Sequence, residues 1–229
     1  ILIKVYEVTF MFQQLRTLTL TNGRIKHLDI EYEQLNIRGA VTIHQEVRMQ
    51  KVSTHGHSSF YFPVFVHEFN STGSCTLKDY CEIDELTNAG NLKVKKGCVQ
   101  KINSTGKVII EGKLQSEHFE ALGVVKAAEL VANHFQLKLS GESKIGRLQA
   151  ENVMIKKDRV TLLPLFKKRL ICHTISGKQL KLSYTNAQIV EGEVVIVGEN
   201  CLIERLYYTD DYSIDSNAVV HHIIRREIE

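Results

Sequence analysis

Histidines are the residues of this chain best suited to proton transfer or metal binding. His118 and His134 each precede a phenylalanine, and His55 and His57 flank a glycine. An imidazole acts as a general base or a zinc ligand when an acid or further ligands lie beside it. Neither pair belongs to a recognisable motif of that kind. The sequence therefore predicts no catalytic residue, no cofactor, no cofactor-binding residue and no metal ligand.

Cysteine is the other residue type here that could carry chemistry. The chain has five cysteines and no CxxC motif, which is typical of a protein from a reducing compartment. Cys81 and Cys98 occupy matching positions in successive units of an internal repeat, so we expect them to lie one above the other. Because a metal site needs three or four ligands, we interpret both, and Cys75, as small buried side chains.

Other catalytic signatures are not evident in the sequence. The aspartates are scattered, and neither of the glycine-rich phosphate-binding patterns GxxxxGKS/T and GxGxxG occurs. No Ser–His–Asp or Cys–His arrangement can be argued from the spacing. We therefore expect that the protein is not an enzyme.

Glycines at near-constant spacing organise most of the chain. The separation between successive members of the series varies by no more than two residues, which indicates an internal repeat. Glycine suits a sharp corner because it has no Cβ to clash with the neighbouring backbone. The predicted corner glycines are Gly23, Gly39, Gly56, Gly73, Gly90, Gly106, Gly123 and Gly141.

Short runs of alternating apolar residues separate these glycines, and alternation is the period of a β-strand. Leu35 to Ile43 is the clearest unit, with apolar residues at every second position around Gly39. Short strands and corners repeated every ~17 residues predict an all-β fold, a single-stranded parallel β-helix or solenoid. A β-sandwich would need longer strands and less constant turns. Ala127–Leu139 has a helix-forming composition, but its register with the neighbouring units predicts strand.

The whole chain, residues 1–229, is expected to be a single β-helix domain. We assign residues 1–14 to an N-terminal cap or tail and 15–154 to regular rungs. Residues 155–185 form an irregular rung or a loop insertion, and 186–229 form the closing rungs and a C-terminal cap.

Composition limits the location and the partners. The formal net charge of +3 is too small to indicate a nucleic-acid partner, and no apolar run approaches the length of about 20 residues that spans a membrane. No secretory leader is evident. We expect a cytoplasmic protein that binds itself as a homo-oligomer or filament. Association with a membrane surface or with another protein stays open.

Three units carry a resemblance to a known family: Glu33–Val47, Ile102–Leu114 and the closing Val190–Asp215. Short rungs, one corner glycine each, small inward aliphatic residues and the lack of a catalytic motif resemble the bactofilins, the bacterial polymer-forming cytoskeletal proteins. The resemblance covers roughly residues 20 to 220. It implies a short β-helix whose ends stack on those of neighbouring copies, building filaments without nucleotide that act as scaffolds near the membrane.

The function that follows from this resemblance is a structural scaffold that self-assembles end to end. Two alternatives stay open: a hexapeptide-type β-helix acyltransferase, for which His118 or His134 would be the base, and a non-polymerising binding module that uses the aromatic cluster Phe60–Phe65. An uncapped terminal rung exposes unpaired backbone and apolar side chains. The candidate residues of the end-to-end interface are Val5, Phe10, Phe12, Tyr207, Tyr208 and Ile214.

Overall fold

The computed structural model describes residues 16–28, 31–158 and 167–227. These residues form thirteen β-strands and no helix, so the prediction of an all-β parallel β-helix is confirmed. Every strand pairs in parallel with its neighbours in one sheet, which coils through about 12 turns. The strands are β1 (Thr17–Ile25), β2 (Gln34–Ile43), β3 (Val47–Thr54), β4 (His57–Phe60), β5 (Val64–Ser71), β6 (Ser74–Asn88), β7 (Asn91–Ser104), β8 (Lys107–Leu139), β9 (Glu142–Lys157), β10 (Arg169–Leu182), β11 (Thr185–Val197), β12 (Leu202–Ile214) and β13 (Val219–Arg225).

Each turn has three flat segments, which we call the first, second and third faces. In one turn they are His57–Phe60, Val64–Val66 and Glu68–Ser71, and each pairs with the corresponding segment of the next turn. The corner between the third and first faces carries the glycines. The corner between the first and second faces we call the first corner, and the corner between the second and third faces we call the second corner.

The core consists of columns of inward side chains that run along the solenoid. Apolar and polar residues alternate along each face, so every second side chain points inward. Phe119 and Phe135 are consecutive members of one column, and their rings stack with centroids 5.2 Å apart. This third-face column, buried through the middle of the solenoid, contains Leu35, Val52, Phe69, Leu86, Ile102, Phe119, Phe135, Val153, Leu180 and Val195.

Six of the predicted corner glycines stack in one column, from Gly39 to Gly123. A Cβ added to Gly56 would lie 2.5 Å from the carbonyl oxygen of Gly39, and each of the others would meet the backbone of the turn below in the same way. The close stacking of turns at this corner therefore requires glycine.

Gly23 and Gly141 do not share the close backbone contact of this column. Gly23 pairs with Val41 because the register shifts between Leu20 and Asn22, so Gly39 lies over Thr21 instead. At Gly141 the spacing widens by one residue, and an added Cβ would meet only the Val124 side chain, at 3.1 Å. Neither glycine is needed for close backbone stacking.

The predicted strand over Ala127–Leu139 lies within β8, which runs from Lys107 to Leu139. Its register with β9 pairs Ala127 with Ile145 and Leu139 with Lys157. Stacking between turns has therefore overridden the helix-forming composition of this segment.

The regular spacing is interrupted between β9 and β10. Leu148 pairs with Ile175, a longer step along the chain than in the other turns, and the ladder resumes at Arg169 opposite Glu142. Just before this restart, Lys168 is buried and its Nζ donates to the Asp158 carbonyl at 3.0 Å. Arg169 donates two hydrogen bonds to Glu142 Oε2, at 2.8 and 3.0 Å. These side chains hold the restarted turn against β9.

Candidate functional site

Within the described residues, the core is least covered at the C-terminal end of the ladder. Leu206 and Ile223 are consecutive members of one inward column, on β12 and β13. Leu206 is 0% exposed and Ile223 is 41% exposed, although their positions within a turn are equivalent. The difference arises because, in the part of the chain that the structure describes, no strand pairs with the outer edge of β13.

The C-terminal end is apolar over two faces. Val219 is 49% exposed and Ile224 is 40% exposed on β13. Strand β13 pairs only with Leu202–Tyr208 of β12, so the third face ends with Ile214 of β12. Ile214 pairs with Val197 and packs partly buried against the core. Among the described residues, the edge N–H and C=O groups of β13 have no ladder partner. An edge of this kind is a template for another strand.

The predicted interface residues lie at different depths in this end. Ile214 is on the third face, where no described strand covers it. Tyr207 and Tyr208 are covered by β13, opposite Ile224 and Arg225. The Tyr207 ring packs under the Arg226 guanidinium, 4.4 Å from the ring centroid, and Tyr208 packs against a neighbouring tyrosine ring. The other three candidates, Val5, Phe10 and Phe12, lie outside the described residues.

The N-terminal end of the described ladder has the same organisation. Strand β1 pairs with β2 on one side, and Leu18, Leu20 and Ile25 pack partly buried against the core. No described residue pairs with its other edge. The described ladder therefore ends in an unpaired strand edge on both sides.

The histidine pair at 118 and 134 forms a stack on the third face. The two rings are 4.8 Å apart and nearly parallel, at 6°, and both side chains are exposed. Asn152 continues the column, with its Nδ2 3.2 Å from His134 Nδ1. The adjoining groove of about 390 Å³ is lined by this column and by Lys181 and Met154. No group of three metal-ligating side chains occurs in the described residues, so this column offers at most two imidazoles to a ligand.

A histidine–aspartate pair was missed by sequence reasoning. His67 Nδ1 is hydrogen-bonded to Asp84 Oδ2 at the second corner, and Gln100 Nε2 donates to Asp84 Oδ1 at 2.9 Å. The signal was available, because the two residues are separated by the length of one turn. No hydroxyl or thiol among the described residues hydrogen-bonds to His67, so the pair lacks a nucleophile to activate.

The aromatic cluster around Pro63 is divided between the core and the surface. Phe60 is buried against Phe69. Outside, Tyr61 stacks on His44 at 4.2 Å, and Phe65 lies under the Arg48 guanidinium at 3.8 Å. These two outer rings have partners within the chain, whereas Phe62 is 48% exposed.

The cysteines do not form the column expected from the glycine spacing. Cys81 pairs with Gly97, whereas Cys98 pairs with Glu82 and is half-buried. The prediction that Cys81 and Cys98 stack is wrong because the register shifts by one residue between Leu77 and Tyr80.

Burial disfavours ionisation of four of the thiols. Desolvation raises the pKa of Cys75 and of Cys81 to about 12. It also raises the pKa of Cys172 to about 12 and that of Cys201 to about 11. All five cysteines are free, and the four buried ones pack as small apolar side chains.

The fold and these surfaces define a class: a parallel β-solenoid with apolar, unpaired ends in its described ladder. No family model matches the chain, and no solved structure matches it. The chain is similar to the uncharacterized protein YhbE of Bacillus subtilis (strain 168), with 34% identity over 95 residues. That alignment covers 40% of this chain and 40% of YhbE, so the match spans about two fifths of the relative's length. No helix that could span a membrane occurs in the described part of the chain.

Proposed function

We propose that this chain is a bactofilin-like structural subunit that stacks end to end into filaments without nucleotide and acts as a scaffold. The observation that carries the proposal is the uncovered core column at the C-terminal end, where Ile223 is 41% exposed above a fully buried Leu206. A turn from a second copy would cover this column as β13 covers β12.

The energetic argument rests on apolar burial and on backbone pairing. Fully burying an isoleucine side chain contributes about 1.5–3 kcal/mol. Covering the exposed two fifths of Ile223 therefore contributes about 1 kcal/mol, and the partly buried Val220, the other inward residue of β13, adds to it. Pairing the free edge of β13 supplies hydrogen bonds as well. If one end meets the opposite end of the next copy, the contact does not close, and assembly continues.

The free thiols fit a cytoplasmic setting, which we propose for the protein. Its partner in this proposal is a second copy of itself. Contact with a membrane surface or with another protein is a further part of the proposed scaffold role.

Ile223→Lys tests the proposal, because it places a charge in the uncovered column without disturbing a covered residue. We expect the purified wild-type chain to form filaments in negative-stain microscopy and to scatter light strongly. The Ile223→Lys variant should give short or single particles with an unchanged circular dichroism spectrum.

Met154→Lys is the matched control, because Met154 is 37% exposed but lies on the third face, away from either end. This variant should assemble as the wild type does. A wild-type chain that sediments as a monomer over a wide range of salt and protein concentrations would refute end-to-end stacking.

A further inference from the structure

Cations gather along one side of the solenoid, on the first face and at the first corner. Within residues 74–147 this side carries nine cations and four carboxylates, Asp79, Glu111, Glu129 and Glu142. The positions on successive turns lie in register, as with Lys126 opposite Lys144. We call this set the basic stripe: Lys78, Lys93, Lys95, Lys96, Lys107, Lys113, Lys126, Lys144 and Arg147.

Three of these cations are neutralised within the chain. Lys93 pairs with Glu111 at 2.7 Å, Lys113 with Glu129 at 3.0 Å, and Lys144 with Glu142 at 3.2 Å. A fourth, the Lys78 ammonium, lies 3.8 Å from the centroid of the Tyr61 ring. In the described part of the chain, no carboxylate forms an ion pair with the remaining five: Lys95, Lys96, Lys107, Lys126 and Arg147.

The unpaired lysines border a groove at the first corner. It has a volume of about 640 Å³ and is lined by Lys95, Lys96 and Tyr80, among others. The groove is open beside Gly112, which presents no side chain to it. It can therefore admit carboxylate side chains from another molecule.

Carboxylates gather along a different side, on the second face and at the second corner. From residue 81 to residue 193, the outward positions there carry six carboxylates and one lysine, Lys178, which pairs with Glu151 at 2.7 Å. Glu82, Glu117 and Glu193 form no ion pair with any described cation. We call this set the acidic stripe: Glu82, Asp84, Glu117, Glu151, Glu191 and Glu193.

From this segregation we propose that two copies of the chain associate side by side, with the basic stripe of one against the acidic stripe of the other. Both stripes run along the solenoid axis, and turns are about 4.8 Å apart. Several complementary pairs can therefore form at once, which strengthens contacts that are weak singly. A second copy is favoured over a polyanion because the chain itself carries the matching stripe and its net charge is only +3. The contact lies on the sides and does not depend on end-to-end stacking.

Charge reversal tests the proposal through complementation. Lys95→Glu/Lys96→Glu gives a chain with two acidic sides, and Glu82→Lys/Glu117→Lys gives one with two basic sides. All four residues are exposed. We expect the wild type to associate laterally at about 0.01 M salt, where the Debye length is about 30 Å, and to separate at about 1 M, where it is about 3 Å. Each variant alone should associate at least tenfold more weakly, and an equimolar mixture of the two should recover wild-type association.

Lys156→Glu/Lys181→Glu is the matched control. Both residues are exposed and lie outside the stripes, and this variant has the same net charge as the basic-stripe variant, +3 − 4 = −1. It should associate as the wild type does. Negative-stain microscopy separates the two assemblies, because lateral association changes the width of particles and end stacking changes their length. Lateral association should also persist in the Ile223→Lys variant.

Three results would overturn the inference. The first is wild-type association that is insensitive to salt. The second is a mixture of the two variants that fails to recover association. The third is a wild type that stays laterally single at about 0.01 M salt but binds polyphosphate through Lys95 and Lys96, which would identify the basic stripe as a polyanion site.

Discussion

Replacing Gly73 by alanine tests the corner on which the stacking of the turns depends. The added Cβ would lie 2.8 Å from Gly56 N, and closer still to Gly56 O. Both are backbone atoms of the turn below, so no side-chain rotation can relieve the clash. The corner would have to open, and this stretches the hydrogen bonds from Ser74 N to Gly56 O and from Asn91 N to Gly73 O, both 2.8 Å long.

The cost follows from those two bonds. Each contributes about 1 kcal/mol net, and an amide left without a partner costs about 1–3 kcal/mol. We therefore expect Gly73→Ala to lower the free energy of unfolding by about 2–4 kcal/mol. For a chain of this size, 1 kcal/mol corresponds to about 2–4 °C in Tm, so the Tm should fall by about 5–15 °C.

Gly141→Ala is the matched control, because its added Cβ would meet only Val124 Cγ2 at 3.1 Å. That side chain can move, and alanine restricts the unfolded chain, which favours folding by about 0.4–1 kcal/mol. The Tm of this variant should stay within a few degrees of the wild type. Thermal unfolding followed by circular dichroism, with amide exchange at Ser74 and Asn91, measures both. Equal Tm values for the two variants, or unchanged exchange in Gly73→Ala, would refute the glycine column as a requirement for stacking.

Two further predictions concern the interior. Iodoacetamide at pH 8 should alkylate Cys98 in the folded protein, because its side chain is only half-buried. Cys75 should stay unmodified until urea unfolds the chain, because burial raises its pKa to about 12. Mass spectrometry of both thiols checks this. Asn88→Ala should lower the free energy of unfolding by about 2–4 kcal/mol in urea titrations. It removes the donor to Ser104 Oγ at 2.9 Å and leaves Gly90 N without its acceptor. Ser104→Ala, which leaves Asn88 bonded to Gly90, should cost less, and equal losses in the two variants would contradict this account.

The fold could be predicted because the spacing of the glycines equals the length of one turn. Constant spacing determines which residues stack, even where local composition favours helix, as in Ala127–Leu139. Counting from a glycine fails where a turn loses a residue at another corner. Cys81 and Gly97 are paired at the start of the second face, yet Gly97 lies one residue nearer to its corner glycine than Cys81 does. A one-residue shift moves a side chain from the inside to the outside, which is why Cys98 was misplaced.

The surfaces were harder to predict than the core. The interior requires apolar residues at alternate positions, which leaves a visible pattern. A charge on the outside is compatible with any face, so the two stripes become visible only when the corners are known. Single pairs of surface neighbours could still be predicted, because Asp84 follows His67 by the length of one turn. Which turn ends the described ladder was not evident from the sequence, because Leu206 and the exposed Ile223 occupy equivalent positions in their turns.

One inward column of the core bears on the end-to-end assembly that we propose. This column lies on the third face and has a polar segment, in which Asn88 donates to Ser104 Oγ. It is aliphatic towards both ends of the ladder: Ile37 lies on the N-terminal side, and Val197 followed by Ile214 lies on the C-terminal side. A turn that slipped at Asn88 would separate its side-chain amide from Ser104 Oγ, so this pair favours the native register. The buried Thr54 and Ser71 hydroxyls of the same column have no hydrogen-bond partner among the described residues and add no such constraint. The aliphatic segments make no such directional demand. The end-to-end contact that we propose requires only an apolar turn from another copy at such an end.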